Sequence, residues 1–184
     1  KLFNRQNELL GDAAERAAVT AEWLNQAKYP GSTINEAWKR FIYHQFHDDL
    51  TGTSIPRAYE FSWNDELISL KQFSNVLTSS IHGIGRELDT RVSGIPVILY
   101  NALGFAVTDI AEIELDLPKA PKGITVYDEK GKKVSAQLIS YTDGKARILV
   151  EATVPATGYV VYDVRTSGTG ASNISTNVNT LENS

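Results

Sequence analysis

The sequence contains neither cysteine nor methionine among its 184 residues. Without cysteine the chain has no disulfide bond, thiolate metal ligand or cysteine nucleophile. Its apolar runs fall short of the roughly 20 residues that a membrane-spanning helix needs, and it does not open with a basic-then-apolar signal segment. We therefore expect no membrane span, while the cellular location stays open.

The charge balance argues against nucleic acid as a partner. The formal net charge is −4, and basic residues are not clustered into a patch. A hydrophobic fraction of 42% over 184 residues is enough for one large core or two small ones. Because the chain starts at Lys1 and not at methionine, we expect a piece of a longer protein.

Helical periodicity marks the first half of the sequence. Small and apolar residues recur at steps of three and four, at Leu10, Ala13, Ala17, Ala21 and Leu24. Thr33 with Glu36 three residues later resembles a capping box, which predicts a second helix from about Ile34. Pro56 fits the first turn of a third helix. We predict an antiparallel three-helix bundle over residues 1–92.

The third helix carries a long apolar stripe. It runs from Tyr59 through Trp63, Leu67 and further apolar residues to Leu88 at helical spacing. Such a stripe is expected to be buried. We also predict that Trp23 and Trp38, like Trp63, are core residues.

Period-two patterning follows in the second half. Ile113, Leu115 and Leu117 alternate with acidic residues, which is typical of a half-buried strand. Five further short strands are predicted between residues 97 and 164, and Asp143-Gly144 is a strong hairpin signal. This predicts an antiparallel β-sandwich over residues 93–166, followed by a linker or the start of another β domain at 167–184. The predicted fold class is therefore α+β, with two domains.

One dense polar cluster, His44-Gln45-Phe46-His47-Asp48-Asp49, ends the second helix. The two histidines are three residues apart, so both rings could converge on a cation, with Asp48 beside them. The alternative is structural: the groups cap a helix end, with Asp49 bonding to loop N–H groups. Zinc needs three or four ligands, and the remaining histidine, His82, is a whole helix away. The residues alone leave both interpretations open.

The run HQFHDDLTGTS, from His44 to Ser54, resembles the signature of glycoside hydrolase family 38 α-mannosidases, in which a His-Asp pair precedes a small-residue turn. Tyr29-Pro30 and the segment 36–39 are similar to the family's approach to that motif. The segment 100–105 is similar to its Asn-Pro-Leu-Gly element, with Ala102 in place of proline. The resemblance covers nearly the whole chain in order.

The resemblance implies roles for two residues. It makes His47 a zinc ligand and Asp48 a contact to the sugar hydroxyls, while Phe46 stands where many members have another histidine. It places the nucleophile and the other zinc ligands on an N-terminal α/β domain before residue 1, so no catalytic residue is expected within this chain. The implied chemistry is retaining hydrolysis by two carboxylates, with zinc holding two adjacent mannose hydroxyls.

Two hypotheses about function result. The first is a fragment of a retaining α-mannosidase that acts on α-linked mannose in glycans or oligosaccharides. Its partners would be the N-terminal catalytic domain and later β domains of the same chain, and the fragment alone would be inactive and would not retain zinc. The alternative is a non-catalytic scaffold or carbohydrate-binding module, in which the His/Asp cluster is a helix cap.

Overall fold

Helices occupy the first half of the chain and antiparallel strands the second half in the computed structural model, which describes residues 1–167, 174–176 and 181–183. This confirms the α+β class. The chain divides into two compact units, Lys1–Leu88 and Asp89–Ser184.

The first unit contains four helices in its described residues, one more than predicted. They are α1 (Leu2–Trp23), α2 (Gly31–Tyr43), α3 (His47–Leu50) and α4 (Pro56–Gly85). The additional helix, α3, is a single turn formed by the polar motif itself. Pro56 opens α4 as predicted. The expected cap of α2 was wrong, because the helix begins at Gly31 with Pro30 at its N-cap and Thr33 lies inside it.

Small residues let the helices of this unit approach closely. The core consists of Ala14, Ala18, Ile34, Ala37, Phe73 and Val76, with Leu10, Tyr29, Trp38 and Leu77 packed against it. Two buried polar groups join the helices across this core. The side-chain amide of Asn7 donates to the backbone oxygen of Glu66 at 3.0 Å, and the hydroxyl of Ser69 donates to the backbone oxygen of Ala37 at 2.9 Å.

The first half of α4 buries a different face from the predicted one. Ser62, Glu66 and Ser69 are buried, whereas Trp63 is 54% exposed and Leu67 is 49% exposed. The predicted burial of the stripe is therefore wrong over these turns, although Phe73 and Ile84 further along are buried. Small polar side chains lie at the helix contact because they fit the close approach and form hydrogen bonds across it. Trp23, at 80% exposed, also lies outside the core.

The second unit is built of short antiparallel strands. They are β1 (Ile95–Asn101), β2 (Val107–Asp116), β3 (Thr125–Tyr127), β4 (Lys133–Val134), β5 (Ala136–Thr142), β6 (Lys145–Val154), β7 (Gly158–Arg165), β8 (Ile174–Thr176) and β9 (Leu181–Asn183). The predicted strands are present, except that the single strand expected from Val134 to Ile139 is divided between β4 and β5, which belong to different sheets. The Asp143-Gly144 hairpin joins β5 to β6, with φ of 52° and 81° at its two central residues.

Two sheets of this unit share one hydrophobic core. One has the strand order β1-β7-β3-β4 and the other β2-β6-β5. Alternate residues of β6, from Ala146 to Val154, are buried together with residues of β2, β3 and β7. The side chain of Asn101 closes one end of β1 by donating to the backbone oxygens of Phe105 at 2.8 Å and Pro155 at 2.9 Å.

The region predicted to be a linker, 167–184, lies mostly outside the described residues. Within it, β8 and β9 pair as an antiparallel ladder. Of the helices in the described part of the chain, none combines the length and the apolar character that crossing a bilayer requires.

Candidate functional site

The polar motif forms α3 and the turn that follows it. The hydroxyl of Thr51 donates to the backbone oxygen of His47, and that of Thr53 donates to the backbone oxygen of Asp48 at 3.4 Å. Gly52 then adopts a φ of 91°, which an L side chain rarely reaches, and this permits the sharp turn toward α4. The motif thus sits at the surface between α2 and α4.

His47 and Asp48 are exposed side by side. Their side chains are 74% and 61% exposed, and His47 Nε2 lies 3.5 Å from a carboxylate oxygen of Asp48. The ring of Phe46 packs against the ring of His47, with centroids 4.2 Å apart. An imidazole nitrogen and a carboxylate are therefore presented outward, where they can reach a ligand.

His44 points away from this pair and into the unit. Its Nδ1 lies 2.6 Å from an Asp49 carboxylate oxygen, and its Nε2 lies 3.3 Å from Asp65 on α4. His44 is buried and His47 exposed. The two rings therefore point in different directions, because the chain leaves α2 at Tyr43 and His44 and His47 do not share one continuous helix face.

Asp49 and Asp65 each contact a second group as well. The hydroxyl of Ser62 donates to Asp49 at 2.6 Å, and the guanidinium of Arg40 donates to Asp65 at 3.0 Å. One turn beyond Ser62 on α4, burial raises the pKa of the Glu66 carboxyl above its usual value. The sequence did not indicate Ser62, Asp65 or Arg40. Ser62 and Asp65 lie on another helix, 13 and 21 residues from their partners Asp49 and His44, and Arg40 lies in the last turn of α2.

An apolar groove adjoins the motif. It has a volume of about 640 Å³, and its lining includes Ile42, Tyr43, Phe46, Phe61 and Asp48. Aromatic rings beside a carboxylate are a combination that suits a sugar, since rings pack on its C–H face and carboxylates accept from its hydroxyls.

The donor atoms of His47 and Asp48 fit a zinc ion in kind but not in number. Zinc accepts imidazole nitrogen and carboxylate oxygen, and it takes at least three protein ligands. In the described part of the chain, histidine, aspartate and glutamate nowhere gather in the groups of three that could hold a metal ion. These residues can supply part of a zinc site that other residues would have to complete.

Comparison with known proteins shows which family this helical unit resembles. The sequence profile of the family described as "Alpha mannosidase middle domain" matches residues 1–84, a range that includes α3 and the polar motif. Over these residues the helical unit matches the α-mannosidase middle-domain family. The resemblance to family 38 α-mannosidases that the motif predicted is thereby confirmed. None of the curated proteins compared with the chain matches it.

Solved structures extend the likeness to the strands. An α-mannosidase from Enterococcus faecalis V583 is similar with a TM-score of 0.73 and 18% identity over 93% of this chain. A glycosyl hydrolase family 38 protein from Enterococcus faecalis is similar with a TM-score of 0.73 and 19% identity over 91% of this chain. This likeness shows a shared fold. The chain spans 24% of the length of each of these proteins.

Proposed function

We propose that this chain is a piece of a retaining α-mannosidase that releases α-linked mannose from glycans or oligosaccharides. The observation that carries the proposal is the exposed His47–Asp48 pair, located within the α-mannosidase middle domain. The chain consists of the helical domain at 1–92, which packs as a bundle, and the β-sandwich at 93–166, with a linker or the start of another β domain at 167–184. An N-terminal catalytic domain and later β domains of the same protein complete it.

In this proposal His47 supplies one ligand to a zinc ion. Its ring is exposed and engaged only at 3.5 Å with Asp48 among the described polar contacts, so a ring nitrogen is available. Bound zinc would hold two adjacent hydroxyls of the mannose and favour a distorted ring. The remaining ligands and the nucleophilic carboxylate come from the catalytic domain.

Asp48 contacts the substrate in this proposal. Asp48 is one of the residues that line the apolar groove. A sugar that packs near Phe46 and Phe61 could donate hydrogen bonds from its hydroxyls to the Asp48 carboxylate. The non-catalytic alternative assigns the cluster to a helix cap. The buried contacts of His44 and Asp49 fit that structural role, whereas the exposure of His47 and Asp48 favours a ligand.

Replacement of His47 tests the proposal in the complete protein. We expect His47→Ala to lose most of the bound zinc and most of the activity, because the loss of one ligand weakens a four-ligand site steeply. The fold should be retained, since an exposed side chain contributes little to the core. Zinc content, activity and thermal unfolding are measured on the same preparation.

His82→Ala is the matched control. His82 is likewise an exposed histidine, at the end of α4, and we expect its replacement to leave the zinc content unchanged. Equal zinc in the His47→Ala variant and the parent would show that His47 is not a ligand.

A further inference from the structure

Helix α3 is too short to determine its own orientation. It has four residues, and each of their side chains is at least partly exposed. Helices shorter than about 12–15 residues are marginal on their own, and their stability comes from packing. Something outside α3 must therefore fix the direction in which His47 and Asp48 point.

Asp49 provides that connection. It lies on α3 directly after the exposed pair, and its carboxylate turns inward to form two contacts of 2.6 Å, with His44 after α2 and with Ser62 on α4. Hydrogen bonds to a charged acceptor are shorter and about twice as strong as neutral ones. The single carboxylate therefore ties α3 to α4 and to the residue that caps the end of α2.

The connection continues on the far side of His44. Its other ring nitrogen lies 3.3 Å from Asp65, which is itself bound to Arg40. Arg40, Asp65, His44, Asp49 and Ser62 thus form one continuous polar chain through α2, α3 and α4.

We propose that Asp49, with His44 and Ser62 as its anchors, positions α3 so that the His47 ring and the Asp48 carboxylate point toward the zinc ion and the sugar. This inference rests on the proposed function, because it assigns His47 a ligand role. The three are positioning residues. Their effect on zinc and substrate is transmitted through the backbone of α3.

The same geometry argues against a separate hydrolytic centre built from these residues. A Ser-His-Asp nucleophile requires a hydroxyl that is hydrogen-bonded to the imidazole. Here the Ser62 hydroxyl donates to Asp49 and to the backbone oxygen of Ala58, and both ring nitrogens of His44 face carboxylates. Ser62 is therefore an anchor for α3.

A matched pair of serines on α4 tests the positioning role. Ser62 and Ser69 are both buried on the same helix, seven residues apart, and each hydroxyl donates across a helix contact. Ser62→Ala removes an anchor of α3, whereas Ser69→Ala removes a bond to α2 that does not involve α3. A loss of general stability should appear in both variants, but a loss of positioning should appear only in the first.

The first measurement is hydrogen exchange in the zinc-free complete protein. We expect Ser62→Ala and Asp49→Ala to speed exchange of the α3 amides by roughly tenfold, which corresponds to the loss of about one hydrogen bond to a charged group. Ser69→Ala should leave these amides as in the parent. Equal exchange of α3 in both serine variants would overturn the proposal.

The second measurement is the zinc dissociation constant by competition with a chelator. Loss of residues that orient a ligand typically weakens metal binding about 10–100-fold, and we expect this for Asp49→Ala and about tenfold for Ser62→Ala. Asp49→Asn keeps the shape and part of the hydrogen bonding, so its affinity should lie between those of Asp49→Ala and the parent. If Asp49→Ala does not fold, the zinc affinities of Asp49→Asn and Ser62→Ala are compared with that of Ser69→Ala. That comparison still tests whether Asp49 and Ser62 position α3.

The zinc affinity of His47→Ala, measured in the same series, separates the proposed ligand role of His47 from the proposed positioning role of Asp49 and Ser62. If it loses zinc while the Asp49 and Ser62 variants bind as tightly as the parent, the positioning role is wrong and the ligand role stands. If His47→Ala itself binds zinc normally, the proposed function fails. Weakened binding in the His47, Asp49 and Ser62 variants, with normal binding in Ser69→Ala, supports both.

Discussion

Asp48 and Asp49 are neighbours in the chain, but their carboxylates have opposite environments. Asp48 is exposed beside His47, whereas Asp49 forms two short hydrogen bonds to His44 and Ser62. The one-turn helix accounts for the difference, because successive residues of a helix point about 100° apart. The pair therefore presents one carboxylate outward and uses the other as an internal anchor.

Replacement of Asp48 by asparagine separates substrate contact from metal retention. Asn keeps the shape of the side chain but loses its charge, and a charge-assisted hydrogen bond to a sugar hydroxyl contributes about 1.5–3 kcal/mol. If that bond strengthens as the sugar ring distorts, kcat in the complete protein should fall roughly ten- to a hundredfold. Bound zinc should stay near the parent level. Both kinetic constants and zinc are measured on one preparation.

Asp12→Asn is the control for this experiment, because Asp12 is an exposed aspartate on α1 that pairs with Arg16. It should leave kinetics and zinc unchanged. Parent-like kinetics in Asp48→Asn would remove Asp48 from the site. Joint loss of zinc and activity would make Asp48 a metal ligand.

At the residue scale, the sequence revealed the motif but not its surroundings. His47 and Asp48 could be singled out because they occupy one short run that resembles the family pattern. Ser62 and Asp65 could not, since their contacts with Asp49 and His44 span 13 and 21 residues. Nothing local marks a serine in mid-helix as the partner of a distant carboxylate.

At the scale of elements, patterning predicted the strands well and the buried face of α4 poorly. Successive side chains of a strand point to opposite faces of the sheet, so the apolar residues Ile113 and Leu115 directly identify the buried face of β2. On α4 the bulky apolar residues suggested one face, yet the buried residues of its first half are Ser62, Glu66 and Ser69. Where helices approach closely, size and hydrogen bonding decide which residues are buried, and hydrophobicity alone does not predict this.

The same close approach makes Gly11 in α1 sensitive to substitution. Alanine normally stabilises a helix relative to glycine by about 0.5–1 kcal/mol. At Gly11, however, an added Cβ would lie 2.9 Å from Trp38 and 3.1 Å from Phe73. Overpacking of a core costs about 1–3 kcal/mol, so we expect Gly11→Ala to lower the free energy of unfolding of the chain by roughly 1–2 kcal/mol. Urea denaturation followed by circular dichroism measures it.

Gly83 in α4 provides the comparison. A Cβ there would meet its nearest neighbour, Gln26, at 3.4 Å, an ordinary van der Waals distance. The helix propensity of alanine should then dominate, and Gly83→Ala should be neutral or stabilising. Equal effects at the two glycines would contradict the packing derived for α1 against α2 and α4.

At the scale of the whole molecule, the chain contains what it needs to fold, but in the proposed function it does not contain a complete active site. Each of the two units has its own hydrophobic core, Phe73 and Val76 being central to one and Ile148 and Val150 to the other. The chain nevertheless spans only 24% of the length of the similar solved structures. In the proposed function, its described residues provide one part of a zinc site and leave the nucleophile to another domain.

We therefore expect the 184-residue chain, expressed alone, to fold but not to hydrolyse an aryl α-mannoside. Cooperative thermal unfolding should report the packed cores, since it requires buried apolar surface that is exposed together. Zinc should dissociate on dialysis, because His47 is a single ligand and zinc requires at least three from the protein. The complete protein, assayed in parallel, should turn over the same substrate. Turnover by the chain alone that exceeds the buffer background and survives repurification would show that the chemistry lies within these residues, and would refute the division of the site between domains.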